Sequence, residues 1–125
     1  MWPRDGALVA YALVQSGYLD ASKRFFQFCA DVISKDGYLL HKYNPDRSFA
    51  SSWHPWLKDD KKSLPIQEDG IALVIWSLWN HYDEFRDIEF IKPLYRGLIL
   101  SAAEFMVKFR DEETGLPLNS YDLWE

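Results

Sequence analysis

Ser120-Tyr121-Asp122-Leu123-Trp124-Glu125 sets two carboxylates among two aromatic rings and a leucine. A glutamate held against tryptophan in apolar surroundings keeps its proton to higher pH, which suits a general acid. Flat ring faces receive the apolar faces of sugar rings, and carboxylates and amides receive the hydroxyls. Taken alone, the same stretch is an ordinary terminal loop with a surface glutamate. Two other stretches carry related chemistry. Trp2-Pro3-Arg4-Asp5-Gly6 puts a cation and an anion at the entrance of an apolar run, where they serve either as a salt bridge and helix cap or as a hydroxyl-binding pair. Ser51-Ser52-Trp53-His54-Pro55-Trp56 offers Trp53 and Trp56 as sugar platforms or as loop packing. His41, His54 and His81 are too scattered to make a metal site, and no cofactor is implied.

Helices must position these groups. Asp5 is a plausible N-cap for a first helix through Ala7–Val14, apolar all the way round and so expected to be buried on every side, with Gly17 as its stop. A second helix, capped by Asp20 and reaching about Ser34, has Lys23, Arg24, Gln27 and Asp31 on one face. Phe25, Phe28, Cys29 and Val32 lie on the other. The stretch from Lys35 to about Ile66 reads as a long binding loop, with a short strand expected over Tyr38–Tyr43 and a solvated tip at Lys58–Lys62. A third helix, starting at Gln67-Glu68-Asp69-Gly70 and running through Trp79, is again apolar all round. The fourth is expected from Asp87 or Ile88 to Phe109. Its inward stripe is Ile91, Leu94, Tyr95, Leu98, Ala102, Phe105 and Phe109, with Lys92, Arg96, Glu104 and Lys108 opposite.

An apolar helix thus alternates twice with an amphipathic one. Each apolar helix follows an Asp-Gly step (Asp5-Gly6, Asp69-Gly70), and each amphipathic helix leads to a loop with Gly, Leu and Tyr in matching places, Gly37 to Tyr43 and Gly115 to Tyr121. This is a faint repeat of inner helix, outer helix and loop. Two such units do not close a ring, so residues 1–125 are expected to be an arc of one larger domain. On that plan Asp5, Asp69 and the loops ending at Trp56 and Glu125 converge where the inner helices begin, a place rich in backbone N–H groups.

Composition narrows the partners. The net charge of -5, with no basic stripe, excludes a nucleic-acid footprint. Aromatic residues make up 17% of the chain, ring surface that must be buried, form a binding site or join an interface; the all-apolar first and third helices of an open arc lead to an expectation of self-association. Cys29 is the only cysteine, which rules out an internal disulfide. No signal peptide and no membrane-spanning run is present, and a soluble, cytoplasmic protein is expected.

The Trp2-Pro3-Arg4-Asp5-Gly6-Ala7-Leu8 stretch, Tyr43-Asn44-Pro45-Asp46 through Trp56, Gln67-Glu68-Asp69-Gly70 and Tyr121-Asp122-Leu123-Trp124-Glu125 together resemble glycoside hydrolase family 15, the glucoamylase family with its glucodextranase-like and trehalase-like members. The resemblance implies an all-α fold of alternating inner and outer αα-hairpins, the (α/α)6 toroid. It also implies inverting, exo-acting hydrolysis of α-glucosidic bonds in an α-glucan or a small α-glucoside. Glu125 matches the general acid, Arg4 and Asp5 the residues that bind the terminal glucose, and Leu123 and Trp124 the residues that flank it. Gln67, Glu68 and Asp69 fall where members carry sugar-contacting or supporting groups. The family's base lies far downstream of these motifs, so residues 1–125 alone are expected to be inactive. A relative of the same fold, the regulatory subunit of phosphorylase kinase, gives the alternative of a non-catalytic sugar-binding or scaffold ring.

Overall fold

The computed structural model describes residues 1–50, 60 and 64–120 in full, and the backbone alone at Leu57–Lys58 and Lys61–Lys62. The chain is all-α. Its helices are α1 (Pro3–Gln15), α2 (Leu19–Val32), α3 (Gly70–Phe85), α4 (Ile88–Leu94) and α5 (Ser101–Lys108), the last two joined by a π-helical turn over Tyr95–Leu100. The described β structure is a small antiparallel hairpin, β1 (Leu57–Lys58) against β2 (Lys61–Lys62), and the single bridges Tyr43–Phe49 and Arg110–Pro117.

Two expected caps are not caps. Trp2 holds the N-cap position of α1 in extended geometry, and Pro3 opens the helix, where its missing N–H costs nothing. Asp5 therefore lies inside the first turn. Tyr18 holds the N-cap position of α2, so Asp20 also lies inside the first turn. Both carboxylates still face the positive end of a helix dipole. Gly17 does end α1: at φ +77° it lets its own N–H reach Val14 O (3.0 Å) while Tyr18 N–H reaches Leu13 O (2.8 Å), a Schellman closure that turns the chain straight into α2.

The strand expected over Tyr38–Tyr43 does not form, because each backbone group there has a different partner. Leu40 N–H donates to Tyr43 Oη, His41 N–H to Pro65 O and Tyr43 N–H to Met1 O. Among the described residues the only strand-like pairing here is the single antiparallel bridge Tyr43–Phe49 at its end.

α1 and α2 form an antiparallel hairpin, drawn close where Gly6 faces the Phe25 ring; a methyl group on Gly6 would collide with it. α3 returns beside α1 in parallel. Arg4 meets Asp69 near the start of both helices, and Tyr11 packs on Trp76 (ring centroids 4.6 Å) at the same sequence spacing further along. α2 lies across the back of the pair, running the other way, so that Ser22 near its start meets His81 near the end of α3. Phe26, Ile71, Val74, Leu78 and Leu98 form the centre of the core.

The all-round burial expected of the first and third helices is not found. Leu8 (49% exposed) and Val9 (58%) on α1, and Trp76 (42%) and Trp79 (58%) on α3, form apolar faces open to solvent. α1 is covered where it meets α2 and α3, and α3 where it meets α1, α2 and α5; Leu8, Val9, Trp76 and Trp79 lie on the sides that remain open among the described residues. The fourth predicted helix is continuous, but its turn over Tyr95–Leu100 is widened to the π register, with Ser101 Oγ–H donating to Arg96 O (3.0 Å). The wider turn spaces the inward positions four apart, at Leu94, Leu98 and Ala102. Tyr95, expected in the stripe, is displaced to the surface.

Candidate functional site

The parallel pairing of α1 and α3 brings their first turns together. Arg4 Nη1 reaches Asp69 Oδ1 at 3.4 Å and Oδ2 at 3.5 Å. These contacts are longer than the roughly 2.7–2.9 Å of a tight charged hydrogen bond, and Asp69 is half-exposed, so the pair is loose. Asp69 occupies the N-cap position of α3 but makes no capping bond; its carboxylate is turned to Arg4 instead. Asp5, the expected partner of Arg4, points to solvent from the first turn of α1. Gln67 is 3% exposed, with Oε1 buried and no hydrogen-bond partner among the described residues. The arrangement gives one end of the bundle a cation, several acceptors and two helix N-termini, which is a suitable lining for a polyhydroxylated ligand.

The loops that follow the two back helices return to this same end. After α2, Tyr43 N–H donates to Met1 O (2.8 Å) and the Met1 ammonium donates to Tyr43 O (2.7 Å). Lys42 Nζ then lies over the Trp2 ring, 4.8 Å from its centroid. Tyr43 is buried, which pushes its phenol up to about 12. After α5 the chain makes a tight reversal. The Asp111 carboxylate accepts both the N–H and the hydroxyl of Thr114 (2.8 Å each), which holds its pKa below the usual carboxylate range, and Gly115 adopts φ +70°. Leu118 N–H closes on Phe109 O, and Ser120 N–H then donates to Glu68 Oε1 at 2.6 Å, just before α3. Between α3 and this reversal lies a cavity of about 320 Å³, lined by Glu68, Ile71, Phe105, Phe109, Arg110 and Pro117 among others.

The structure thus gathers Arg4, Gln67 and Asp69 at one end and leaves Asp5 on its rim. Trp53, Trp56, Leu123, Trp124 and Glu125 lie outside the described residues. Two features were not anticipated from sequence: the Arg4–Asp69 pairing, whose only hint was the matching position of the two helix starts, and the Glu68–Ser120 bond, for which the sequence carries no signal. His41, beside Pro3 and Gln67, and His81, toward the far end of α3, are too far apart along the bundle to share a ligand. Among the described residues no three His, Cys, Asp or Glu side chains converge as metal ligands. Cys29 is fully buried, and burial pushes its thiol far up, so it is not a nucleophile here.

No family model matches the chain, and neither does any solved structure. Among curated proteins, it is 26% identical over 125 residues to an uncharacterised glycosyl hydrolase of Methanocaldococcus jannaschii. That match covers 100% of this chain and 18% of the relative, so the chain spans less than a fifth of the relative's length. The similarity is to a glycosyl hydrolase, at a distance that shows no narrower family.

Proposed function

We propose that this chain is part of the catalytic domain of an inverting, exo-acting α-glucosidase of the glucoamylase kind, acting on an α-glucan or a small α-glucoside. On this reading α1–α5 are an arc of an (α/α)6 ring, and the open apolar faces of α1 and α3 receive the remaining hairpins. The observation that carries it is the convergence at one end of the bundle. The first turns of two parallel helices meet through Arg4 and Asp69, and both returning loops close on the residues just before those helices. The distant similarity to a glycosyl hydrolase supports the same reaction class.

In this assignment Arg4, Asp5, Gln67 and Asp69 hold hydroxyls of the terminal glucose, Leu123 and Trp124 flank it, and Trp53 and Trp56 offer platforms for the departing sugar. Glu125 gives its proton to the glycosidic oxygen as the bond to the anomeric carbon breaks. A second carboxylate takes a proton from water, whose oxygen adds to the opposite face of that carbon. The resemblance places that base outside residues 1–125.

The test is Glu125→Gln in the full-length protein, assayed on maltose and on α-glucosyl fluoride. Loss of the proton donor should lower turnover of maltose by at least about a hundredfold and that of the fluoride far less, since fluoride leaves without protonation. Equal slowing of both substrates rules out Glu125 as the acid. Wild-type protein that releases glucose from no α-glucoside overturns the reading as a whole.

A further inference from the structure

The bond from Ser120 N–H to Glu68 spans 52 residues of sequence and, at 2.6 Å, is among the shortest side-chain hydrogen bonds of the described residues. Its acceptor oxygen is occupied, and the other, Glu68 Oε2, is buried with no hydrogen-bond partner among the described residues. One oxygen of Glu68 is thus committed to the backbone at Ser120, while the side chain also lines the cavity between α3 and the reversal. The chain reaches it through a stiff approach: the Asp111–Thr114 turn, the Arg110–Pro117 bridge and the Leu118–Phe109 bond hold the reversal, and Ser120 is the last residue before the Tyr121-Asp122-Leu123-Trp124-Glu125 run.

The other half of the chain repeats the device. Tyr43 N–H docks on the carbonyl of Met1, two residues ahead of Pro3, where α1 begins. Ser120 N–H docks on Glu68, two residues ahead of Gly70, where α3 begins. The sequence repeat aligns Tyr43 with Tyr121, so the two docking points fall one residue apart in equivalent loops. In the first unit the acceptor is backbone. In the second it is a carboxylate, which makes a stronger, charge-assisted bond to an amide.

We infer that Glu68 is a positioning residue: it anchors the backbone at Ser120 to the start of α3, so that the chain enters the acidic run from a fixed point at that end of the bundle. The catalytic part of this inference rests on the functional reading above; the anchor itself does not, and the two are separable by experiment.

Amide exchange at Ser120, resolved by mass spectrometry of the full-length protein, reads the anchor directly. Glu68→Ala should speed that exchange by at least about tenfold, and Glu68→Gln, whose side-chain oxygen still accepts, should restore most of the protection. Exchange at Ser120 that is the same in wild type and Glu68→Ala overturns the anchor, whatever the activity does. On maltose, Glu68→Ala should lower kcat at least about tenfold with KM within about twofold, with a smaller loss on α-glucosyl fluoride and recovery in Glu68→Gln. Faster exchange with unchanged kcat overturns the positioning role. Should Glu68→Ala fail to fold, Ser120→Pro removes the donor from the other side, and wild-type kcat in that variant also overturns it. A wild-type protein inactive on every α-glucoside sinks the functional reading and leaves exchange at Ser120 to decide the anchor.

Discussion

Ser22 and His81 constrain each other at the back of the core. The Ser22 hydroxyl donates to Leu19 O (2.8 Å), so toward His81 Nδ1, 3.0 Å away, it must accept. His81 is thereby held as the Nδ1–H tautomer, and its Nε2 is buried with no hydrogen-bond partner among the described residues. Phe26, Phe85 and Phe90 surround the ring. Burial and the Lys23 ammonium lower its pKa, and Asp87, ion-paired to Lys23, only partly offsets them. Because the unfolded chain takes up this proton more readily than the folded one, stability should be flat above about pH 6.5 and fall as pH drops below it. His81→Asn should flatten that dependence in denaturant titrations between about pH 7 and 5, at some cost in stability at neutral pH. At this same scale the site was half legible. Arg4 and Asp69 could be picked out as charges at apolar helix starts, but Asp5 looked like the partner because it is next in sequence. Neighbouring helical positions point about 100° apart, so Arg4 turns to α3 while Asp5 turns to water. The Glu68–Ser120 bond had no signal, because a side chain meeting a distant backbone amide obeys no period.

Helix order was the most legible property of this chain, and the reason is the density of apolar periodicity in it. Two of the misplaced boundaries concern polar residues read as caps, and a third is the end of α3, which continues past Trp79 to Phe85. Asp5 and Asp20 are within first turns because Pro3 and the Gly17 closure start their helices earlier. The π turn was invisible, since widening one turn leaves the apolar count unchanged and only shifts Tyr95 outward. Gly37 is the element-level joint that sequence marked correctly as a turn. At φ +89° it lies against α5 so closely that a methyl group there would overlap the Ser101 carbonyl. Gly37→Ala should cost about 1–3 kcal/mol or more, read as a lowered denaturation midpoint. Gly97→Ala makes a matched control: nothing lies within reach of its added methyl group, and it should be neutral or stabilising by up to about 1 kcal/mol.

Across the whole molecule, Leu8 and Val9 on α1 and Trp76 and Trp79 on α3 leave apolar surface uncovered by any described residue. A polypeptide of residues 1–125 alone should therefore self-associate. Sedimentation should show species larger than the 14.7 kDa monomer, reduced by Trp79→Lys; a compact monomer that Trp79→Lys leaves unchanged would contradict this account of the face. The parallel seam between α1 and α3 has a further effect, on the order in which the chain acquires its structure. Each helix can find its sequence neighbour quickly, but the seam joins residues 65 apart, as at Arg4 and Asp69, and waits on closure of the long crossover between them. Refolding should then show two kinetic stages: early gain of helical circular dichroism from the local hairpins, and a later change in tryptophan fluorescence, diminished in Trp76→Phe, as Tyr11 arrives on the Trp76 ring. The end of the bundle where the proposed site lies would be the last part of the molecule to exist.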